Sequence, residues 1–326
     1  MNARLARLLS LMVVALSIVF VAAACGSDDN PASTTTGTTR DYRDVRGVVV
    51  KIPQNPTRVV TLGEGVLDSA LALDVTPVGT VSARGQSGVP AYLAVKAAQV
   101  PIVASSQTPN LQQILKVHPD LILVDDTTGA RNKLDELSKI APTVLVARYA
   151  DGWETFFDSM SKALNRPEQH QQVVAEIDGR IADIHRQIAA NNPSGKPLTA
   201  SVVRWAADGP TIVGGNSISS WVLDKVGMTR PAAQEKINSH NRAGEKVSLE
   251  NLDLIDADYI FFGVLAGKQK ATEELAAAQK LPGFSTLNAA RGGHVIPVDG
   301  VPWTSGSGPL GVEAILSDID CAFPQA

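Results

Sequence analysis

The run PEQHQQVVAEIDGRIADIHRQIAA, from Pro167 to Ala190, decides the fold of this chain. Its apolar residues recur three or four positions apart, which places them on one face of an α-helix. These residues are Val173, Val174, Ile177, Ile181, Ile184 and Ile188. Pro167 suits the first helical position, where a missing N–H loses no partner, and the turn-forming residues from Asn191 to Gly195 favour an end. At 1.5 Å per residue, such a helix spans roughly 36 Å, enough for a stiff strut between two domains.

Apolar runs alternate with helical patterns on both sides of this strut, and strand, turn, helix and strand in succession make a βαβ unit. The predicted strands are 58–62, 78–81, 121–124, 143–147, 199–203, 259–263 and 294–298. The predicted helices are one that ends at Leu73, one that begins at Pro109, and those near residues 131–140, 218–226, 249–255 and 310–319. The fold class is therefore α/β, with two Rossmann-like lobes joined by a single long α-helix. We expect an N-terminal lobe over 42–165, the interlobe helix over 166–192 and a C-terminal lobe over 193–326.

Two segments of the chain resemble each other, one in each predicted lobe. NLQQILKVHPDLILV, from Asn110, aligns with SLENLDLIDADYIFF, from Ser248, so that Asp120 meets Asp258 and Ile122 meets Ile260. Each copy has a capping residue, a short helix, an acidic turn and an apolar strand. The match predicts a duplicated lobe, and convergent packing of similar βα units is the alternative.

The N-terminus has the pattern of a secretory signal. Arg4 and Arg7 precede an uncharged apolar run from Leu8 to Val21, which is too short to span a membrane. Cys25 follows three alanines, as in the lipobox of bacterial lipoproteins, although Ala22 stands where that motif usually has Leu. We expect a lipoprotein signal peptide over 1–24 and acylation, with palmitate, of Cys25. Ordinary cleavage after an Ala-x-Ala site is the alternative.

The residues after Cys25 predict a flexible tether over 25–41. They consist mainly of Ser, Thr, Asp, Asn and Gly, a composition that cannot bury enough surface to fold. Removal of the signal peptide changes the formal net charge from −4 to −6, which argues against binding of nucleic acid. Cys321 is the only other cysteine, so no intrachain disulfide can form once Cys25 is acylated.

Catalytic motifs are missing from the sequence. There is no Gly-x-Ser-x-Gly nucleophile elbow at a strand end and no phosphate-binding Gly-x-x-x-x-Gly-Lys-Ser/Thr motif, and Gly63-Glu64-Gly65 lacks the third glycine of a dinucleotide site. The five histidines form no spaced pair on one helix face, and only His240 sits in a loop with nearby polar residues. We therefore expect neither an enzyme nor a resident cofactor or metal ion.

The predicted strands are followed by arginines and aromatic residues instead. Ligands of open α/β sheets bind outside the carboxyl ends of the strands, so the residues there are the candidates for contact with a ligand. These candidates are Arg84, Arg148, Tyr149, Arg204, Trp205 and Trp303. Guanidinium groups offer charge and a fork of donors, and indoles offer faces for stacking, a combination that suits a flat or anionic ligand. The alternatives are solvated loop positions for Arg84 and Arg148 and a place in the core for Trp205.

At these residues the chain resembles the iron-siderophore and cobalamin class of substrate-binding proteins of bacterial ABC importers. The resemblance covers nearly everything after Tyr42. It is carried by Pro56–Val60, Pro109–Leu111, Pro119–Ile122, Val203–Trp205, Gly215–Ser217 and Asp299–Gly311. It implies a class III fold of two lobes joined by one long helix, with the ligand held between them. It also implies delivery of that ligand to a permease driven by a cytoplasmic ATPase.

The resemblance also implies a docking residue on each lobe, because a glutamate at the start of one helix binds arginines of the permease. Glu250 matches the position on the second lobe, whereas Gln112 stands at the position on the first. This departure puts symmetric docking in doubt. The alternative for Glu250 is an ordinary capping carboxylate.

The leading hypothesis is a monomeric receptor for a ferric siderophore, lipid-anchored to the extracytoplasmic face of the cell membrane. A haem-binding or cobalamin-binding lipoprotein of the same fold is the second hypothesis, and haem would need an axial ligand such as Tyr149 or His240. The third hypothesis is an interaction lipoprotein that has lost transport, for which Gln112 is the only support.

Overall fold

The computed structural model describes residues 38–235, 237, 244–306 and 308–323. The predicted signal peptide over 1–24, Cys25, most of the tether and His240 lie outside these residues. The described part opens with an antiparallel hairpin of β1 (Thr39–Arg43) and β2 (Val49–Pro53). Because β1 begins at Thr39, the predicted tether over 25–41 extends too far. Arg40, inside that range, donates hydrogen bonds to the carbonyl oxygens of Lys162 and Ala163 at 2.6 and 2.9 Å.

The first lobe is built on a parallel sheet of five strands in the order β5-β4-β3-β6-β7. Its strands are β3 (Val59–Leu62), β4 (Gly79–Val81), β5 (Ile102–Ala104), β6 (Leu121–Asp125) and β7 (Thr143–Ala147), and its helices are α1 (Glu64–Ala72), α2 (Leu111–Lys116), α3 (Leu134–Leu137) and α4 (Trp153–Leu164). Every residue of β3, β6 and β7 is buried, as expected of a parallel sheet covered on both faces.

The strut is α5, a helix over Pro167–Asn191. Ile177, Ile181, Ile184 and Ile188 are its buried residues, so the periodicity of the sequence correctly predicted both the helix and its apolar face. One hydrophobic core runs along this face and includes Phe156 of the first lobe and Ile315 of the second. The helix is therefore packed against both lobes along its length.

The second lobe is built on a mixed sheet of five strands in the order β10-β9-β8-β11-β12. Its strands are β8 (Ala200–Ala206), β9 (Gly209–Ile212), β10 (Glu245–Lys246), β11 (Tyr259–Val264) and β12 (Val295–Asp299), and its helices are α6 (Ile218–Lys225), α7 (Lys268–Ala278), α8 (Asn288–Gly292), α9 (Gly300–Ser305) and α10 (Pro309–Ala322). Strands β8, β11 and β12 run parallel, whereas β9 is antiparallel to β8.

The same hydrogen-bonded contact occurs once in each lobe, which supports the prediction of a duplicated lobe. Asp120, before β6, accepts hydrogen bonds from the backbone N–H and the hydroxyl of Thr57 at 2.7 and 3.0 Å. Asp258, before β11, accepts the same pair of bonds from Thr199, both at 2.8 Å. In each lobe the acidic turn thus fastens the start of one parallel strand to the start of its neighbour.

Two predicted helices are shorter than expected, and four helices of the described part were not predicted. The segment 131–140 contains a 3₁₀ turn and the single turn of α3, and the segment 249–255 contains a 3₁₀ turn at Leu252–Ile255. The helices that were not predicted are α4, α7, α8 and α9. In the part of the chain that the structure describes, no helix has both the length and the apolar character that crossing a membrane demands.

Candidate ligand-binding site

A cavity of about 550 Å³ lies between the carboxyl ends of the two sheets. It is lined by the loop after β4, the loop after β6, the strand β8 and the helix α9 that follows β12. The lining residues are Arg84, Asp126, Thr127, Thr128, Gly129, Arg131, Asn132, Arg204, Thr304 and Ser305. The site therefore takes residues from both lobes, where the strand order of open α/β sheets predicts a ligand.

Arg84 is held in place by a buried carboxylate at the start of α1. Glu64 accepts hydrogen bonds from the backbone N–H of Arg84 at 2.6 Å and from its Nε at 3.1 Å, and its Oε2 lies 2.9 Å from Nη2. The first turn of a helix also stabilises the charge of Glu64. Because Glu64 takes the Nε–Nη2 edge of the guanidinium, the opposite edge of Arg84 remains for the cavity.

Arg131 and Arg204 bring two further guanidinium groups to the cavity lining, one from each lobe. Arg204 is half-buried on β8, while Arg131 is exposed and its Nη1 donates to the carbonyl oxygen of Asp126 at 3.2 Å. A Cβ at Gly129 would lie 1.7 Å from the carbonyl oxygen of Gln107, so only glycine lets this loop pass so close. Arg131 was not among the predicted site residues because its segment was predicted to be a helix, whereas it lies in a 3₁₀ turn of the loop that follows β6.

The prediction that Trp205 and Trp303 contact the ligand is wrong, because both side chains lie in the core of the second lobe. Trp303 is 0% exposed, stacks on Phe261 with ring centroids 4.1 Å apart, and donates its indole N–H to Asp318 at 2.9 Å. Trp205 is 7% exposed and packs on Phe262 at 4.9 Å. Trp303 belongs to the helix α9 and not to an open loop, and this helix buries the ring against β11.

Arg148 and Tyr149 contribute no described side chain to the cavity lining. The side chain of Arg148 is exposed, and its Nη2 donates to the carbonyl oxygen of Val45 at 2.5 Å. Tyr149 belongs to a 3₁₀ turn over Tyr149–Asp151, and its side chain is outside the described part. The prediction that Arg148 lines the site is therefore wrong in this conformation.

Glu250 and Gln112 are both exposed, but they stand on different local structures. Gln112 is in the first turn of α2, as the alignment of the two lobes predicts. Glu250 lies in a turn before the 3₁₀ segment, with its N–H bonded to the hydroxyl of Ser248 at 3.2 Å. Either residue is accessible to a partner protein.

Residues 59–302 match the family described as periplasmic binding protein. The chain belongs to this family. It is 27% identical to the probable siderophore-binding lipoprotein YfiY of Bacillus subtilis, over 97% of this chain and 98% of the relative. It is also 27% identical to the Fe(3+)-citrate-binding protein YfmC of the same organism, over 96% of each chain.

Solved structures show the same fold in other binding proteins. The complex of Staphylococcus aureus SirA with staphyloferrin B superposes with a TM-score of 0.73 at 25% identity, covering 87% of this chain and 98% of SirA. These findings confirm the expected class III fold, and they confirm that the family consists of binding proteins rather than enzymes.

Next to the cavity of this periplasmic binding protein lies a fully buried carboxyl group, that of Asp125 at the end of β6. Its Oδ1 accepts the backbone N–H and the hydroxyl of Thr127 at 2.9 and 2.7 Å, whereas Oδ2 is buried with no hydrogen-bond partner. Burial raises the pKa of Asp125 to about 6, against the bonds from Thr127 and the charge of Arg84. A Cβ at Gly63 would lie 2.2 Å from Oδ2, so the turn into α1 needs glycine at this point.

A second cavity, of about 490 Å³, lies between the start of α4 and the helix α6. Unlike the first, it has indole walls, from Trp153 and Trp221, whose rings meet edge to face at 5.2 Å. Arg230 also lines it and donates from Nη1 to the hydroxyl of Ser220 at 3.0 Å. Trp153 is also 5% exposed and belongs to the hydrophobic core that runs along α5, so this cavity lies at the edge of that core.

Proposed function

We propose that this protein binds a ferric siderophore in the cavity between its lobes and hands it to an ABC importer. The observation that carries the proposal is the convergence of Arg84, Arg131 and Arg204 from both lobes on one cavity. Guanidinium groups form charge-assisted, often bidentate hydrogen bonds with anionic oxygen ligands, and a site shared by two lobes can close around its ligand. The names of the similar proteins point to the same class of ligand.

The cargo in this proposal is the whole chelate and not bare iron. Among the described residues, no three His, Cys, Asp or Glu side chains lie close enough together to hold a metal ion. Arginine cannot ligate iron, but it can bind the anionic groups that surround iron in a chelate. No described lining residue is a histidine or tyrosine, and the side chains of Tyr149 and His240, the axial ligands that the haem hypothesis names, lie outside the described residues.

Calorimetric titration with a panel of ferric siderophores, haem and cobalamin tests the function. Arg204→Gln removes a charge from the cavity, and we expect the dissociation constant for the bound chelate to rise about tenfold or more. Arg148→Gln is the matched control, because it changes the same residue type outside the cavity and leaves affinity unchanged. Failure of every ferric chelate to bind the wild type would overturn the proposal.

We further propose that Cys25 carries the lipid that anchors the protein, as a monomer, to the extracytoplasmic face of the cell membrane. The support is the signal-like N-terminus and the small residues before Cys25. Incorporation of labelled palmitate in the cell tests this, with Cys25→Ser as the variant that should release the protein. Label retained by Cys25→Ser would contradict the anchor.

Delivery to the permease is proposed to involve Glu250, which is exposed and acidic. Glu250→Gln should slow uptake of the iron chelate by cells while leaving binding of the chelate by the purified protein intact. Glu245→Gln, at another exposed acid of the same lobe, is the matched control. Equal uptake by cells that carry either variant would show that Glu250 is not part of the docking surface.

A further inference from the structure

The second cavity, between the start of α4 and the helix α6, is large enough to be a binding site of its own. Its volume is about 490 Å³, which is within the usual range for small-molecule sites. It takes Gly152, Trp153 and Glu154 from the first lobe, and its other lining residues lie between Gly215 and Glu235 of the second. None of its described lining residues also lines the first cavity. A ligand bound here would therefore be additional to the proposed ferric siderophore.

Arg230 brings an unpaired guanidinium edge to this cavity. Its Nη1 donates to the hydroxyl of Ser220 at 3.0 Å, whereas Nε and Nη2 are buried and have no hydrogen-bond partner among the described residues. The same edge of Arg84 is occupied by the carboxylate of Glu64. Buried donors of a charged group are unfavourable when unpaired, so the Nε–Nη2 edge of Arg230 favours an incoming anionic oxygen. Because both nitrogens are covered in this conformation, that oxygen must draw the half-buried side chain toward the cavity.

Two indoles add an aromatic wall and a further unpaired donor. Trp153 and Trp221 both line the cavity, and their rings meet edge to face at 5.2 Å. Lys225 places a cation beside this wall, with its Nζ 5.7 Å from the centre of the Trp221 ring. The Nε1 of Trp153 is buried without a hydrogen-bond partner in the described part of the chain, although a buried indole N–H usually has one. The buried unpaired groups of the lining are therefore donors, and a ligand that satisfies them must supply acceptor oxygens.

The acidic residues of the lining limit the negative charge that such a ligand can carry. Glu154, Asp224 and Glu235 line the cavity and are exposed, whereas Arg230 is half-buried. A single carboxylate can pair with the guanidinium of Arg230, but each further negative charge would be repelled by the three acids. A ligand with one carboxylate and an apolar body fits this balance of charge best.

We propose that the second cavity binds a small organic monocarboxylate with a flat apolar body, at a site separate from that of the ferric chelate. The carboxylate pairs with Nε and Nη2 of Arg230, whose planar fork of donors matches a carboxylate group. The apolar body packs against the rings of Trp153 and Trp221. Aromatic monocarboxylates combine both parts in one molecule, so benzoate is a suitable probe.

Calorimetric titration of the purified protein with benzoate and with benzamide tests this site. Benzamide has the same ring and nearly the same shape but no charge, so we expect it to bind at least about tenfold more weakly than benzoate. Arg230→Gln should weaken benzoate binding about tenfold, whereas Arg131→Gln, in the first cavity, should leave it unchanged. Trp221→Leu, which removes part of the aromatic wall, should weaken benzoate binding about threefold. Thermal unfolding of each variant checks that it is folded.

Equal binding of benzoate and benzamide would overturn the carboxylate site, as would benzoate binding that neither Arg230→Gln nor Trp221→Leu weakens. Absence of benzoate binding to the wild type at millimolar concentrations would overturn it as well. Displacement of benzoate by a ferric siderophore would show that the two cavities form one site, contrary to the proposal. Binding of benzoate by a protein that binds no ferric chelate would support the second site and overturn only the proposed function.

Discussion

Arg204 and Trp205 are neighbours on β8, but their side chains lie in different surroundings. Arg204 is half-buried and lines the cavity, while Trp205 is in the core of the second lobe. Successive side chains of a strand point to opposite faces, so both cannot face the ligand. The sequence indicates that both residues lie at the end of a strand. Because the strand is pleated, Arg204 faces the cavity while Trp205 faces the core.

Trp303→Phe tests whether the indole of Trp303 serves stability or binding. The phenyl ring keeps most of the packing on Phe261 but loses the hydrogen bond to Asp318, so we expect a loss of about 1–2 kcal/mol of unfolding free energy. The affinity for the iron chelate should stay within about twofold, because the ring does not reach the cavity. Chemical denaturation and calorimetry measure the two quantities. Weaker binding with unchanged stability would show that the indole contacts the ligand after all.

At the scale of secondary-structure elements, the helix α10 is capped by a residue of the other lobe. Its own N-cap residue is Gly308, which has no side chain to offer. Asp68, on α1, accepts the backbone N–H groups of Leu310 and Gly311 at 2.9 and 2.8 Å, and Tyr92 donates its hydroxyl at 2.7 Å. The cap therefore ties the two lobes together near the strut.

Asp68→Ala should remove this cap and leave the partly buried N–H of Leu310 and the buried N–H of Gly311 without partners. We expect the free energy of unfolding to fall by about 2–3 kcal/mol, the sum of a lost N-cap and an unsatisfied donor. Asp178→Ala, at an exposed position on α5, is the control and should change stability by no more than about 0.5 kcal/mol. Denaturant titration of both variants measures the difference. Equal stability of the two would mean that the contact between α1 and α10 contributes nothing.

At the scale of the whole molecule, several carboxyl groups are buried around the junction of the lobes. Burial raises the pKa of Asp68 to about 7 and the pKa values of Asp125 and Asp299 to about 6. Each group holds its proton more tightly in the folded protein than in the unfolded chain. Their contribution to stability therefore decreases as pH rises from about 4 to about 7.

Asp125→Asn should make the protein less sensitive to pH. The amide keeps an oxygen for the bonds from Thr127 but cannot ionise, so at about pH 7.5 it avoids a buried charge that opposes folding by roughly 1–3 kcal/mol. We expect the variant to be more stable than the wild type at that pH and nearly equal to it at about pH 4.5, where Asp125 is largely protonated in the folded state. Thermal unfolding at both values measures the difference. A variant that is less stable than the wild type at neutral pH would contradict this sign.

The strands and the strut could be predicted from sequence because their signals are local. Strand β7 has the predicted bounds, and α5 lies within the predicted range 166–192, one residue short of it at each end. Parallel strands buried on both faces read as continuous apolar runs, and an amphipathic helix repeats its apolar residues every three or four positions. Short helices such as α3 have too few residues for a period to be read, so their lengths were overestimated.

The candidate site was predicted only in part, because its residues meet through long-range packing. The sequence by itself determined the α/β class, the strut and the edge of each sheet at which a ligand binds, since these depend on periodicity and strand order. Only the tertiary structure decided which side chains reach that edge, bringing Arg131 in and turning Trp303 away. The physical reason is that the direction of a side chain depends on the face of the strand or helix that it occupies and on the elements that pack against that face. The neighbouring residues along the chain determine neither.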